Sequence, residues 1–159
     1  MTVVVGVDNS AASRAALRLA AREARWRQVP LVAVTAYEPP LGPVGGYPIA
    51  AKHTEGEERA TAEAALRATV DDELGDQAGQ ADLRISQGLA GRVIIEAARE
   101  AKAELIVLAA RPGRTVVPGT VSQYVLLKAR CPVAVVPVED TDERPAAIRE
   151  PGDPCSGTV

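Results

Sequence analysis

The sequence predicts an α/β domain built on a doubly wound, five-stranded parallel sheet. Five short apolar runs alternate with four segments of helical periodicity, a pattern typical of a parallel sheet covered by helices on both faces. The runs TVVVGV and LVAVTAY are continuous and rich in β-branched residues, as expected for strands buried on both sides. Because crossovers between parallel strands are right-handed, these elements fit a doubly wound sheet.

The first half of the chain supplies two strands and two helices. The strand over 2–7 ends at Asp8-Asn9-Ser10, which favours a helix N-cap. In the helix over 11–28, a stripe of four arginines opposes an apolar face and is interpreted as a solvated surface. A strand over 31–37 is followed by residues 38–52, whose four prolines and three glycines predict a loop of the kind that often serves as a lid.

The second half repeats the alternation. The helix predicted over 54–74 is amphipathic and stops at Gly75, and its charged run Asp71-Asp72-Glu73 is expected to face solvent. The remaining predicted elements are an edge strand over 82–86, a helix over 90–103, a strand over 104–108, a helix over 120–130 and a strand over 133–136. Residues 1–138 thus form one domain, and the polar residues 139–159 are expected to be a disordered tail.

Composition excludes several classes of protein. The chain has a net charge of −3, no Phe and one Trp, which disfavours nucleic-acid binding. No apolar run is long enough to span a membrane, and no secretory leader is visible. Two distant cysteines fit a reduced setting, so a cytoplasmic location is expected.

Residues that could support catalysis or bind a metal are scarce. The only histidine, His53, is expected at the surface, so the sequence contains neither a His-based triad nor a His-pair metal site. No carboxylate pair suited to Mg²⁺ stands out beyond Asp8. We therefore expect no catalytic residues, no metal site and no enzyme activity.

The stretch over 105–122, LIVLAARPGRTVVPGTVS, predicts a strand, a loop and a helix start. Such a unit often binds phosphate, although many βα turns bind nothing. In doubly wound sheets, ligands bind at the carboxyl ends of the strands where the winding reverses. We expect the first and fourth strands to flank that point, with Asp8 facing the 109–120 loop.

The last strand, VAVV, is apolar yet expected at a sheet edge. An apolar edge needs a cover, and the same strand of a second copy provides one. We predict a homodimer through residues 132–138, with Val133, Val135, Val136 and Val138 at the interface.

Both ends of the domain resemble the universal stress protein family. The opening VVVGVDNSAASRAALRLAAREA resembles the family's first strand and helix, and LIVLAARPG with GTVSQYVLLKARCPVAVVPV resembles its final third. The resemblance implies a Rossmann-like, three-layer fold of the adenine nucleotide alpha hydrolase type, with strand order 3-2-1-4-5. It also implies dimerisation through the last strand and, as in many members, ATP binding without strong catalysis.

Nucleotide-binding members carry a loop of Gly, two residues, Gly, nine residues and Gly-Ser/Thr. Here Ala109 and Pro112 stand at the first two glycine positions, and six residues separate Pro112 from Gly119-Thr120. If Gly113 is taken as the second glycine instead, the gap is five residues. The loop is therefore shortened, and Pro112 offers no N–H to a phosphate. Through the resemblance, the candidate nucleotide-binding residues are Asp8, Ala36, Ala109, Arg111, Gly113, Gly119, Thr120, Val121 and Ser122.

Alternatives stay open at several of these positions. Asp8 could be a helix-capping acid, Arg111 a solvated loop residue, and Thr120 and Ser122 simple N-caps. Three functions fit: a stress regulator that binds ATP or another adenine nucleotide, a dimeric interaction module without ligand, and a binder of a smaller ligand with residues 38–52 as lid.

Overall fold

The computed structural model describes residues 1–38, 55–110 and 120–137, without the side chains of Glu55 and Thr120. The elements are β1 (Thr2–Gly6), α1 (Ala11–Arg27), β2 (Leu31–Tyr37), α2 (Glu55–Leu74), a 3₁₀ helix (Gly75–Gln80), β3 (Ala81–Gln87), α3 (Ala90–Glu100), β4 (Ala103–Ala109), α4 (Thr120–Lys128) and β5 (Val133–Val136). The predictions for the 38–52 loop beyond Glu38, His53, the shortened loop, Val138 and the tail 139–159 concern residues outside these ranges.

The five strands form one parallel sheet in the order β3-β2-β1-β4-β5. This confirms the predicted strand order and places β3 and β5 at the two edges. Val5 of β1 pairs with Ala33 of β2 on one side and with Val107 of β4 on the other. The winding therefore reverses between β1 and β4, as predicted.

Two apolar cores cover the two faces of the sheet. Val3 and Val5 point toward the core that contains Leu17 of α1 and Leu66 of α2. Val4 points to the opposite core with Ile94 of α3 and Val125 of α4. This division follows from strand geometry, because successive side chains of a strand point to opposite faces.

The end of α3 differs from the prediction. The helix ends at Glu100 rather than at 103, because Lys102 adopts a left-handed backbone with φ of 51° and β4 already begins at Ala103. Helical spacing of alanines continues past the real end and carries no stop signal of the Gly type. The 3₁₀ helix over Gly75–Gln80 was also not predicted from the sequence.

The charged run at the end of α2 is only partly solvated, so the prediction is wrong for Glu73. Its side chain is 13% exposed and accepts hydrogen bonds from Arg14 and Arg18 of α1. Burial raises the pKa of Glu73, but the hydrogen bonds from Arg18 and Arg14 outweigh it, so that the pKa is lowered from its ordinary value. The first two residues of the arginine stripe thus tie α1 to α2.

Two further features concern the helices and Cys131. No helix within the described ranges is both long and apolar enough to cross a membrane. Cys131 is half-buried and not in a disulfide, and burial raises the pKa of its thiol. A thiol in that state is less reactive than an exposed one.

Candidate functional site

A cavity of about 570 Å³ opens at the carboxyl ends of β1, β2 and β4. It forms where the winding reverses, because the chain leaves β1 toward one face of the sheet and leaves β4 toward the other. The starts of α1, α3 and α4 contribute the rest of its wall through Ser13, Gly91 and Ser122. The reversal point thus provides a concave site.

Five of the predicted nucleotide-binding residues line this cavity. They are Asp8, Ala36, Ala109, Val121 and Ser122. Thr120 is the first residue of α4, at the same end of that helix. Arg111, Gly113 and Gly119 lie outside the part of the chain that the structure describes. Residues from three distant stretches of sequence are therefore brought together at one site.

Asp8 sits at the rim of the cavity and is held by the turn that follows β1. Its Oδ1 accepts hydrogen bonds from the backbone N–H of Ser10 at 3.1 Å and from the Ser10 hydroxyl at 2.5 Å. The N-cap of α1 is Ser10, whose Oγ accepts from the N–H of Ser13 at 3.1 Å. Asp8 therefore supports the cap without being the cap, and it also borders the cavity.

Two hydrogen bonds to neighbouring elements anchor this turn. The buried Thr35 of β2 donates its hydroxyl to the carbonyl oxygen of Val7 at 2.6 Å. Asn9, with a left-handed φ of 63°, accepts from the Thr69 hydroxyl of α2 at 3.0 Å. Because both flanks of Asp8 are tied down, its backbone is fixed relative to the sheet.

On the opposite side of the cavity, Ser122 contributes a hydroxyl from α4. The residue is 4% exposed, and the space it borders is the cavity. It is the third residue of α4, so the reading of Ser122 as a simple N-cap is wrong. A buried hydroxyl inside a helix that faces a cavity can bind a polar ligand group.

The start of α3 lines the site as well, and the sequence reasoning assigned it no role. Leu89, Ala90, Gly91 and Arg92 all border the cavity, as does Tyr124 of α4. A Cβ built on Gly91 would lie 2.9 Å from Cδ1 of Tyr124, so only a glycine lets the two helices meet this closely. Gly88 was the sequence feature that could have indicated this role, because it directly follows β3 at the same end of the sheet as the other cavity loops.

The lining of the cavity combines small residues with a few charged ones. Gly6, Ala36 and Ala109 are small residues at the strand ends that line the cavity. A Cβ on Gly6 would stand 2.8 Å from Cδ1 of Ile94, so a glycine there allows Ile94 of α3 to pack against β1. The charged lining residues within the described ranges are Asp8, Glu38 and Arg92. No cluster of His, Cys, Asp and Glu able to hold a metal occurs in those same ranges. The site thus combines a small-residue floor with polar groups at its rim.

Comparison with solved structures finds the same fold. A universal stress protein in complex with cAMP is 27% identical, with a TM-score of 0.65, and the match covers 86% of this chain and 95% of that one. The universal stress protein UspA from Lactobacillus plantarum is 25% identical, with a TM-score of 0.64 and coverage of 86% and 97%. The universal stress protein from Archaeoglobus fulgidus in complex with dAMP is 27% identical, with a TM-score of 0.53 and coverage of 86% and 97%.

Comparison with curated proteins finds no match. The family model described as the universal stress protein family matches residues 1–137, which include every strand and helix of the structure. The chain therefore belongs to the universal stress protein family.

Proposed function

We propose that this protein is a homodimeric regulator of a stress response that binds an adenine nucleotide in the cavity between β1 and β4. The observation that carries the proposal is the convergence of Asp8, Ala36, Ala109, Val121 and Ser122 on one cavity. Two solved universal stress proteins at 27% identity are complexes with cAMP and dAMP. These complexes support the choice of an adenine nucleotide.

Each part of the cavity suits one part of such a ligand. Ala36 lies near the end of β2, where a main-chain group can contact the edge of an adenine base. The Asp8 carboxylate is an acceptor for ribose hydroxyls. Ser122 and the start of α4 supply a hydroxyl and a positive helix end for phosphate.

Because the glycine loop is shortened and contains Pro112, it offers fewer backbone N–H groups than the full family pattern. We therefore expect the affinity for ATP to be no higher than that for AMP or cAMP. We propose nucleotide binding without catalysis, and we expect bound ATP to remain unhydrolysed.

Calorimetric titration of the purified protein with ATP, ADP, AMP and cAMP tests the proposal, together with analysis of any nucleotide that co-purifies. Saturable binding of at least one adenine nucleotide is expected. Asp8→Asn should weaken it, because an amide is a poorer acceptor than a carboxylate. The matched control is Asp82→Asn, since Asp82 is exposed on β3 and does not line the cavity. Absence of binding at millimolar ligand would contradict the proposal.

The proposed homodimer rests on β5, which within the described residues pairs with a strand on one side only. The carbonyl oxygens of Pro132 and Val136 accept from the amides of Ile106 in β4 and of Ala110, the residue that follows β4. Backbone groups alternate in direction along a strand, so those of Val133 and Val135 point away from β4. An unpaired apolar edge favours pairing with a second copy.

An interaction module is the second candidate function, because α4 exposes apolar side chains. Leu127 is 82% exposed and Leu126 is 48% exposed. Exposed leucines next to an open sheet edge are typical of a protein-binding surface. This candidate is favoured if calorimetry detects no nucleotide.

A further inference from the structure

A second cleft, of about 340 Å³, lies where α3 and α4 end. Ala103, the first residue of β4, and Cys131, which precedes β5, also line it, so the cleft is at the opposite end of the sheet from the cavity between β1 and β4. Among its ten described lining residues none is acidic and four are cations: Arg99, Lys102, Lys128 and Arg130. We call this site the basic cleft.

The four cations of the basic cleft form no ion pair within the described ranges. The acids nearest to them in sequence pair with other cations and do not line the cleft. Glu100 pairs with Arg84 at 3.0 Å, and Glu104 pairs with Arg27 at 3.3 Å. The Cys131 thiol adds no negative charge at neutral pH, because burial raises its pKa. The described wall of the cleft is therefore positively charged.

The two helix ends account for only part of this positive charge. The C-terminal end of a helix carries roughly half a negative charge, so α3 and α4 together offset about one of the four positive charges. Arg99 and Lys128 lie in the last turns, where cations commonly stabilise the helix dipole. Lys102 and Arg130 lie beyond the helices. A surplus of positive charge thus remains at the cleft.

Lys102 has a backbone conformation that favours glycine. Its φ is 51°, and it directly follows Ala101, the C-cap of α3. Glycine is the common residue at this position of a helix end, because it has no Cβ to be strained there. Lysine places a cation at the cleft at a cost in backbone energy, and residues with such a cost are enriched at functional sites.

The shape of the basic cleft favours a small ligand with more than one anionic group. Its floor is apolar and buried, with Ile95 at 4% and Ile106 at 1% exposure. An apolar floor beneath a rim of like charges concentrates the electrostatic field. The guanidinium groups of Arg99 and Arg130 can each bind a phosphate through two parallel N–H bonds. The volume lies near the lower end of the range for small-molecule sites.

We propose that the basic cleft binds a small polyanion that carries two phosphate groups. The two arginines and two lysines of the rim hold the phosphates, and the apolar floor lies beneath the ligand. This inference does not depend on the proposed nucleotide function. Because cAMP carries a single negative charge, we do not expect it in the basic cleft, and the two sites can be distinguished.

Pyrophosphate is the ligand for the test, with backbone amide resonances of the full chain at low ionic strength as the measurement. We expect saturable shifts, largest around Lys102 and Arg130, that weaken as salt is added. Orthophosphate should bind about tenfold more weakly, because it engages fewer of the four cations. Absence of shifts, or shifts confined to residues around Asp8 and Ser122, would overturn the proposal.

Variants of Lys102 separate binding from stability. Lys102→Gly should weaken pyrophosphate binding by about three- to tenfold, as for the loss of a partly exposed charge-assisted contact. It should not lower the melting temperature, because glycine suits the left-handed backbone. Lys102→Arg keeps the charge and should keep the affinity, whereas adding Arg130→Gln to Lys102→Gly should weaken binding further.

The matched control is Arg22→Gln, because Arg22 is exposed on α1 and lines neither the basic cleft nor the cavity between β1 and β4. Its affinity for pyrophosphate should match that of the wild type. An unchanged affinity in Lys102→Gly, or an equal loss in Arg22→Gln, would overturn the assignment of the site to the basic cleft.

Discussion

Gly91 of α3 lies directly against Tyr124 of α4, and a Cβ added to Gly91 would stand 2.9 Å from Cδ1 and 3.3 Å from Cγ of that ring. Both residues line the cavity. The spacing of two helices, and with it the shape of the site, therefore depends on the absence of one methyl group.

Gly91→Ala should destabilise the protein by about 1 kcal/mol, because overpacking outweighs the gain in helix propensity. It should also weaken nucleotide binding, since α3 and α4 must move apart. Gly56→Ala in α2 is the control: nothing lies within 4 Å of its added Cβ. That substitution should raise the free energy of unfolding by up to about 1 kcal/mol and leave binding unchanged. Urea unfolding and calorimetry measure both effects, and equal behaviour of the two variants would refute the packing argument.

Thr35→Val should lower both stability and nucleotide affinity. It removes the 2.6 Å hydrogen bond to the Val7 carbonyl oxygen and leaves that buried acceptor unpaired, at a cost of about 1–2 kcal/mol. The released turn no longer fixes Asp8. Thr2→Val removes a similar bond to the Ala101 carbonyl oxygen at the other end of the sheet, 2.9 Å long. It should cost comparable stability without loss of binding, and a loss of affinity in both variants would show that binding follows stability alone.

The Glu73 ion pairs should make stability depend on acid pH. The folded-state pKa of Glu73 lies below its ordinary value, so the unfolded state binds the proton more readily. The stabilisation is fully present above the ordinary pKa of 4.5 and is lost as pH falls through the lower folded-state value. Glu73→Gln should therefore reduce the slope of unfolding free energy against pH below 4.5.

Glu96→Gln provides the comparison for that measurement, because Glu96 is exposed on α3 and pairs with no cation in the described ranges. Its pH profile should match that of the wild type. If Glu73→Gln also matched the wild type, the ion pairs of Glu73 with Arg14 and Arg18 would contribute nothing to acid stability.

Val135→Pro should convert the proposed homodimer into monomers with little effect on the fold. The Val135 N–H points away from β4, so proline removes only a donor at the free edge. Ala134→Pro should instead lower the melting temperature, since the Ala134 N–H points toward β4. Sedimentation at micromolar concentration distinguishes these outcomes, and a wild type that sediments as a monomer would contradict the dimer.

The fold was predictable because its signals are local. Continuous β-branched runs marked buried strands such as β1, and the alternation of Leu83 and Ile85 with polar residues marked the edge strand β3. The end of α3 was not predictable, since its last turns and the following residues share an alanine-rich spacing that is interrupted only by the backbone of Lys102. Helix termini without Gly or Pro carry weak sequence signals.

The site was predictable in part, for the same reason. Asp8 follows the end of a recognisable strand, and Ser122 lies at a recognisable helix start. Arg92, in contrast, lies in an ordinary helical stretch. Arg92 reaches the cavity because α3 follows β3, and β3, two strands away from β1, has its carboxyl end at the same end of the sheet. Likewise, the burial of Glu73 depends on α1 and α2 packing side by side, which no local pattern records.

The most direct test of the proposed function is a titration of isotopically labelled protein with cAMP, followed through backbone amide resonances. We expect saturable shifts around Asp8, Ala36 and Ser122, at the carboxyl ends of the strands. A second cleft near Ala98 and Ala129, at the opposite end of α3 and α4, should remain unshifted. Shifts confined to that second cleft, or no shifts with cAMP or AMP, would contradict a nucleotide site between β1 and β4.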